Sequence, residues 1–240
     1  MSLNQHIINH AKQQYPNECC GLIVDGAYIA CKNVADDPTE TFRISPDDWQ
    51  PADVVVHSHP QGERYLSGAD RAAQHKMRCD WWLAVINADS WEIVKYRYAP
   101  LLRGRTFNYG THDCYGLIED AYILCGIKLM KYERKGEAQE IADNAFIVNF
   151  PKSGFYEVEL IDMQPGDVIL TSIRGNANHA SIYLGDEQFL HHPYGGLSRR
   201  EGFCEVWHKS LHSVWRHKQW QTDMMTAIFN DLEAETIWQS

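Results

Sequence analysis

The spacing of apolar residues at the start of the chain predicts an amphipathic helix. Ile7, Ile8 and Ala11 recur at intervals that place them on one side of a helix over residues 3–14. Pro16 lacks the backbone N–H that a helix interior needs, so we expect the helix to end before it. The polar residues between the apolar positions then face solvent.

From residue 21 to residue 98 the apolar runs are short and separated by turn-forming residues. This pattern is typical of strands interleaved with helices. A strand hairpin is predicted over 21–31, with its turn at Asp25-Gly26. The other predicted elements are strands over 54–59, 81–87 and 91–98, a helix over 68–77, and a strand that runs into a helix over 42–49. The succession predicts an α/β domain over residues 1–98.

The texture of the sequence changes after Tyr98, and we expect a second domain over 105–217. A proline, a glycine and arginines follow the last strand, so 99–104 is predicted to be a linker. A helix is expected to begin near Asp113, which suits the N-cap position, and to run through Leu124.

Further along the second domain, a turn at Pro165-Gly-Asp167 leads into a strand, and a strand hairpin is expected to turn at Gly185-Asp186. Residues 218–240 are assigned to a helical extension that packs or mediates an interaction. Its apolar residues at helical spacing are Met225, Ile228, Phe229 and Leu232.

Two histidines and a carboxylate in the first domain have the composition of a metal site. Residues two apart in a strand point to the same face, so His57 and His59 can present two imidazoles to one ion, and Asp70 can supply a third ligand. Such zinc sites keep one position for a water, whose pKa falls to about 7. Glu18 is the best upstream candidate for a general base, and Ser67 for a group that stabilises an oxyanion or orients the water.

A structural alternative exists for each half of this pattern. The two histidines would serve equally as a surface pair on an edge strand. Ser67 and Asp70 have the spacing of a helix capping box. The combination of both halves after the apolar run Val54–Val56, with a glutamate upstream, favours the metal site.

The pattern resembles the JAMM (MPN-plus) metallopeptidase family over about residues 1–98. The family signature is an upstream glutamate, His-x-His, seven residues, and Ser-x-x-Asp, and seven residues separate His59 from Ser67 here. The resemblance implies a cytidine-deaminase-like α/β sandwich that holds one Zn²⁺ ion. It also implies that the metal ligands are His57, His59 and Asp70, that Glu18 is the general acid and base, and that Ser67 stabilises the oxyanion.

A cysteine at a helix start and two histidines on a hairpin form a second candidate site. Cys114 lies where the helix dipole and unpaired backbone N–H groups favour a thiolate. His179 and His191 come side by side in a hairpin that turns between them, so a Cys-His-His triad is compatible with the topology. The structural alternative is a small buried cysteine and ordinary strand histidines.

The segments around these residues resemble the NlpC family of papain-like peptidoglycan endopeptidases over about 105–217. The resemblance implies an α+β papain-like fold, with Cys114 as nucleophile, His179 as base and His191 as the group that orients it. It also implies a contribution of Tyr109 to the oxyanion hole. Tyr115 stands where many members have serine, and we expect it to alter the substrate groove. His192, beside His191, is an alternative third member.

Composition and charge limit the classes of partner and the environment that we expect for the protein. The 240 residues carry a net charge of −10, which argues against nucleic acid as the main partner. We expect no membrane span, because no apolar run approaches about 18 residues, and no secretory signal at the N-terminus. The seven cysteines show no disulfide spacing and are expected to be reduced thiols.

The succession of a JAMM-type and an NlpC-type domain resembles a family of tail-tip proteins of lambdoid and related tailed phages. It implies a bifunctional peptidase whose partners are phage tail-tip proteins and the stem peptides of peptidoglycan. It would be present in the host cytoplasm during assembly, and at the virion tail tip or in the host periplasm and cell wall during infection. The alternatives are a structural assembly protein with dormant sites and a cellular enzyme that processes a ubiquitin-like protein.

Overall fold

A computed structural model describes residues 1–87, 90–131, 145–173 and 176–234. The chain divides into two compact units, Met1–Ala99 and Pro100–Ser240. Among the described residues, no helix has the length and apolar character needed to cross a membrane.

The first unit is an α/β domain built on a five-stranded sheet. The sheet has the strand order β2-β1-β3-β4-β5, and all neighbours are antiparallel except β3 and β4. Helix α2 is the crossover between these two parallel strands. The elements are α1 (Leu3–Gln14), β1 (Cys20–Val24), β2 (Ala27–Cys31), β3 (Val54–His59), α2 (Gly68–Met77), β4 (Asp80–Asn87) and β5 (Ser90–Tyr96).

Packing of α1 on the sheet decides which way the β3 side chains point. Ile7 and Ala11 of α1 are fully buried and form one apolar cluster with Val54 and Val56 of β3. Because strand side chains alternate between faces, the odd-numbered residues of β3, including both histidines, point to the opposite face. The strand thus carries core residues on one face and the candidate ligands on the other.

One predicted element of this unit is wrong. Residues 42–49 form neither a strand nor a helix, and Ile44 makes a single isolated bridge with Asn33. The loop is held by side chains: Asn33 Oδ1 accepts from the backbone N–H of Arg43, and the Arg43 guanidinium donates to the Val34 carbonyl at 2.7 Å.

The second unit is built on a six-stranded sheet whose neighbouring strands are all antiparallel, with the order β10-β9-β8-β7-β11-β6. Helices α3 and α4 pack against the central strand β8. The elements are α3 (Cys114–Leu124), α4 (Ala145–Asn149), β6 (Phe155–Val158), β7 (Val168–Ile173), β8 (Asn176–Gly185), β9 (Gln188–His191), β10 (Arg199–Gly202), α5 (Glu205–Ser210), β11 (Leu211–His217) and α6 (Met225–Ala234).

Residues near both ends of the second unit are buried in its core. In the segment predicted as a linker, Leu102 is fully buried and its backbone N–H donates to the Asp231 carboxylate at 2.7 Å. In the predicted extension, α6 buries Ile228 and Leu232, whereas Phe229 is 38% exposed. Residues 235–240 of that extension lie outside the described residues.

A buried ion pair ties two strands of this sheet together. Asp167, which precedes β7, is fully buried and accepts two hydrogen bonds of 2.8 Å from the Arg216 guanidinium on β11. The backbone N–H of Gln164 also donates to the Asp167 carboxylate. The Pro-Gly-Asp turn of the sequence therefore has a structural role, with bidentate geometry that suits arginine.

Candidate functional sites

Three side chains of the first unit converge on one point. The Nε2 atoms of His57 and His59 are 3.1 Å apart, and Asp70 Oδ2 lies 3.5 Å from each of them. All three residues are buried or nearly so. Among the described residues, no other group of three histidines, cysteines or acids has ligand atoms this close together.

Two of these three distances fit a tetrahedral metal ion, and the 3.1 Å between the imidazoles is slightly shorter. Zinc bonds of about 2.0–2.2 Å at the tetrahedral angle separate ligand atoms by about 3.3–3.6 Å. His59 Nδ1 lies 2.9 Å from the Glu63 carbonyl oxygen, so Nδ1 carries the proton and Nε2 carries a lone pair. The lone pair points at the other imidazole nitrogen and the carboxylate, an arrangement that a cation stabilises. The donor set of two imidazoles and one carboxylate suits zinc.

The two histidine rings are positioned by different means. His59 is held by its hydrogen bond to Glu63, the usual support of a ligating imidazole. His57 Nδ1 has no hydrogen-bond partner among the described residues. Its ring instead contacts Phe42, stacked at 4.6 Å and 24°, and Trp81, edge-on at 5.4 Å, and these two rings also contact each other. Phe42 belongs to the loop for which the sequence predicted regular structure.

Ser67 and Asp70 form the capping box that was the structural alternative. The Asp70 backbone N–H donates to Ser67 Oγ at 3.1 Å, and the Ser67 backbone N–H donates to Asp70 Oδ2 at 2.8 Å. The Ser67 hydroxyl donates to the same carboxylate oxygen at 2.7 Å. The capping box does not exclude the metal site, because it holds the oxygen that faces both histidines.

The pKa values of the two carboxylates near this point, Asp70 and Glu18, are shifted in opposite directions. Burial alone would raise the pKa of Asp70, but the two imidazoles hold it well below its usual range. Glu18, 4% exposed, has the opposite shift. Burial raises the pKa of Glu18 to about 8, with His59 opposing and Asp70 contributing. One carboxylate is thus favoured as an anion, and the other retains a proton more readily.

In the second unit, Cys114 is the first residue of α3 and is partly exposed. The predicted N-cap is confirmed: Asp113 Oδ1 accepts from the Gly116 backbone N–H at 2.8 Å, and Oδ2 accepts from Gly110 at 2.7 Å. A Cβ at position 116 would overlap the Thr111 carbonyl oxygen, so glycine lets the preceding loop lie against the helix start. Tyr109 lies in this loop and is partly exposed.

The hairpin brings the two predicted histidines together. His179 Nε2 on β8 lies 3.0 Å from His191 Nδ1 on β9, with the rings at 80° to each other. The helix that begins at Cys114 packs against β8. The neighbouring His192 packs its ring edge against Phe107. The geometry therefore favours His191 over His192 as the partner of His179.

Tyr115, expected to alter the substrate groove, is instead in the core. Its side chain is fully buried, its hydroxyl donates to the Met130 carbonyl at 2.9 Å, and its ring contacts Phe146 and Phe150. Successive residues of a helix point about 100° apart. Cys114 is on the partly exposed side of the helix start, so Tyr115 points into the core.

Sequence reasoning missed a carboxylate beyond the histidine pair. Glu201 Oε2, on β10, lies 3.0 Å from His191 Nε2. Arg199 and Trp207 surround the same carboxylate. No local motif marks Glu201, and only the pairing of β10 with β9 brings it to His191.

Comparisons with known proteins agree with both halves of the fold. A model of prokaryotic homologues of the JAB domain matches residues 1–96, and the NlpC/P60 family model matches residues 104–216. The protein therefore combines a JAB-like α/β domain with a papain-like NlpC/P60 domain. A solved NLP/P60 family structure from Staphylococcus aureus is 25% identical, covers 48% of this chain and 37% of that chain, and has a TM-score of 0.34.

Two curated relatives span most of the chain. The tail tip assembly protein K of Escherichia phage lambda is 40% identical over 202 residues, which cover 81% of this chain and all of the relative. That of Escherichia phage N15 is 30% identical over 242 residues, covering 88% of this chain and 93% of the relative. The chain belongs to the tail tip assembly protein K family.

Proposed function

We propose that the second unit is a cysteine endopeptidase that cleaves the stem peptides of peptidoglycan. The observation that carries this proposal is that His179 contacts His191, and that the helix beginning at Cys114 packs against β8, the strand that holds His179. Cys114 is the nucleophile, His179 the base and His191 the group that orients it. We place the peptidase domain at 105–217, after a linker over 99–104.

The residues perform acyl transfer in two steps. His179 takes the thiol proton of Cys114 as the sulfur attacks the peptide carbonyl, and it returns that proton to the departing amine. Water then attacks the thioester while His179 takes a proton from it, the C–S bond breaks to release the acid, and His179 returns the proton to the Cys114 thiolate. The developing oxyanion is stabilised by backbone N–H groups at the start of α3, with Tyr109 as a further donor.

For the first unit we propose a zinc-dependent peptidase or isopeptidase site. His57, His59 and Asp70 would hold the ion, and the geometry and donor set described above support this assignment. Bound zinc supplies a water of lowered pKa and polarises the scissile carbonyl. Glu18, a buried carboxyl near the ligands, would be the general acid and base, and Ser67 would contribute to oxyanion stabilisation if its hydroxyl turned away from Asp70 Oδ2.

The two activities fit a protein of the phage tail. The relatives are named for tail tip assembly, and we propose that other tail-tip proteins are its partners. Peptidoglycan would be cut locally in the host periplasm during infection, with the protein present in the host cytoplasm during assembly. The alternative is an assembly protein whose sites are dormant.

Digestion of purified peptidoglycan tests the cysteine site. The protein should release stem-peptide fragments that mass spectrometry identifies, and Cys114→Ala should reduce their release by on the order of 10³-fold or more. Cys204→Ala is the matched control, because this cysteine is exposed. Full activity of Cys114→Ala would refute the nucleophile. No release by the folded unmodified protein would favour the dormant alternative.

Elemental analysis tests the metal site. Metal-replete protein should contain about one zinc per chain, and Asp70→Asn should lose most of it because one of three protein ligands is removed. Asp36→Asn is the matched control, since its side chain is 99% exposed. Glu18→Gln should keep the zinc. Retention of a full equivalent by Asp70→Asn would contradict the assigned ligands.

A further inference from the structure

The carboxylate of Glu201 is fixed by several side chains at once. Its Oε2 accepts from Arg199 Nε at 2.9 Å and lies 3.0 Å from His191 Nε2. Its Oε1 is 3.4 Å from Trp207 Nε1. Arg199 pairs directly with His191 across the two strands, which places Glu201 two residues further along the same edge strand. The carboxylate is therefore held at one end of the histidine pair.

Trp207 covers this arrangement from α5. Its ring centroid lies 5.2 Å from that of His191 at 87°, and 6.0 Å from that of His179. Phe189 packs against both Trp207 and His191. These rings limit the directions in which the imidazoles can rotate.

The order of hydrogen bonds follows from the carboxylate. An ionised carboxylate only accepts, so His191 Nε2 carries a proton. A neutral His191 then has its lone pair on Nδ1, which must accept from His179 Nε2 at 3.0 Å. His179 is left with its lone pair on Nδ1. Each proton position is dictated by the one before it, starting at Glu201.

We propose that Glu201 is a positioning residue of the thiol site, which sets the tautomers of His191 and His179 so that His179 presents a basic Nδ1. The inference rests on the proposed function of Cys114, His179 and His191, and it adds a fourth member that acts through His191. Arg199 and Trp207 keep the carboxylate in place.

The ionisation states agree with this geometry. Burial lowers the pKa of His179, with His191 and His192 adding to the effect, and burial also lowers the pKa of His191, so both rings are neutral near pH 7. Partial burial opposes ionisation of Glu201, but the hydrogen bond from Arg199 and those from its other partners lower its pKa.

The test compares Glu201→Gln with Glu205→Gln. Both remove one negative charge, but Glu205 is 80% exposed and pairs only with Lys209 among the ion pairs of the described residues. Glutamine keeps the size of the side chain, yet its amide can donate as well as accept, so it no longer dictates the His191 tautomer. Thermal unfolding and circular dichroism check that both variants fold.

We expect Glu201→Gln to lower kcat/KM for a soluble peptidoglycan stem peptide by about 10–100-fold, mostly in kcat. The acid limb of its pH profile should move to lower pH, because Glu201 raises the pKa of both histidines. Glu205→Gln should change neither quantity by more than about twofold. Equal behaviour of the two variants would overturn the inference.

Nitrogen-15 NMR of the histidine rings gives a readout that does not need activity. In the unmodified protein near pH 7, His191 should show a protonated Nε2 and an unprotonated Nδ1, and Glu201→Gln should mix the two tautomers. A protonated Nδ1 on His191 would overturn the inference. Activity of Cys114→Ala would refute the proposed function instead, so the two failures are distinguishable.

Discussion

Both units place two imidazoles within 3.1 Å of each other, but they add the carboxylate in different places. In the first unit, Asp70 Oδ2 is 3.5 Å from both His57 and His59, so three atoms able to bind a metal converge on one point. In the second unit, Glu201 touches only the far side of His191, so donors and acceptors alternate along a line.

The difference decides the chemistry that each site supports. Converging lone pairs repel one another and are stabilised by a cation between them, which suits a metal site. A line of alternating donors and acceptors has no such point and instead fixes where each proton lies, which suits acid–base catalysis. Residue types alone do not distinguish these cases, since both sites contain two histidines and an acid.

Zinc should stabilise only the first unit, in which His57, His59 and Asp70 converge on one point. At a free concentration of about 1,000 times its Kd, a ligand stabilises the folded form by about 4 kcal/mol. Hydrogen exchange should show added protection in β3 and α2 and none in β8 and β9. The effect should disappear in Asp70→Asn, and equal protection of both units would break the comparison.

The stability of the second unit should depend on the buried ion pair between Asp167 and Arg216. Asp167→Ala leaves the Arg216 guanidinium without its partner, so we expect the free energy of unfolding of the second unit to fall by about 3 kcal/mol. Urea unfolding measures this. Asp162→Ala is the control, because Asp162 is exposed and offers Arg216 its backbone carbonyl, which the substitution keeps.

Asp167→Ala also separates the two sites. Its zinc content should remain about one per chain, because the metal ligands belong to the other unit. Loss of zinc in parallel with the loss of stability would contradict the separation.

Removing the stacking partner of His57 should weaken zinc binding. Phe42→Leu keeps the apolar contact but loses the parallel ring at 4.6 Å, so His57 gains rotational freedom. Support of a ligating histidine is typically worth about 10–100-fold in metal affinity, and we expect about tenfold here by competition with a chelating dye. Phe229→Leu, at a 38% exposed position, should have no effect. An unchanged affinity would show that stacking does not position His57.

The pH profile of peptidoglycan cleavage should reflect the lowered pKa of the buried His179. A base must be neutral, and burial lowers the pKa of His179, so the neutral form persists below the usual value of about 6.5. The acid limb of kcat/KM for peptidoglycan cleavage should therefore lie below pH 6.5. A limb at or above pH 6.5 would show that the imidazolium is stabilised in the free enzyme.

The sequence predicted the parts of both sites that depend on local spacing. His57 and His59 share a face because strand side chains alternate, and Asp113 caps α3 because its side chain reaches a backbone N–H three residues on. His179 and His191 meet because a hairpin folds back on itself. These relations hold within one or two elements, so a sequence pattern contains them.

The parts that the sequence did not predict depend on contacts between elements. Phe42 contacts His57 from a loop held by side-chain hydrogen bonds, which carry no periodic signal. Glu201 reaches His191 through strand pairing at the sheet edge. Tyr115 follows the nucleophile in sequence, yet helix packing buries it.

The separation of the two chemistries is tested most directly by exposing one preparation to two inhibitors. A chelator should remove the zinc and leave peptidoglycan cleavage within about twofold of the untreated rate, because the thiol site needs no metal. Iodoacetamide should abolish cleavage and leave about one zinc per chain. Loss of cleavage on chelation, in protein that stays folded by circular dichroism, would contradict the account, as would cleavage by protein alkylated at Cys114.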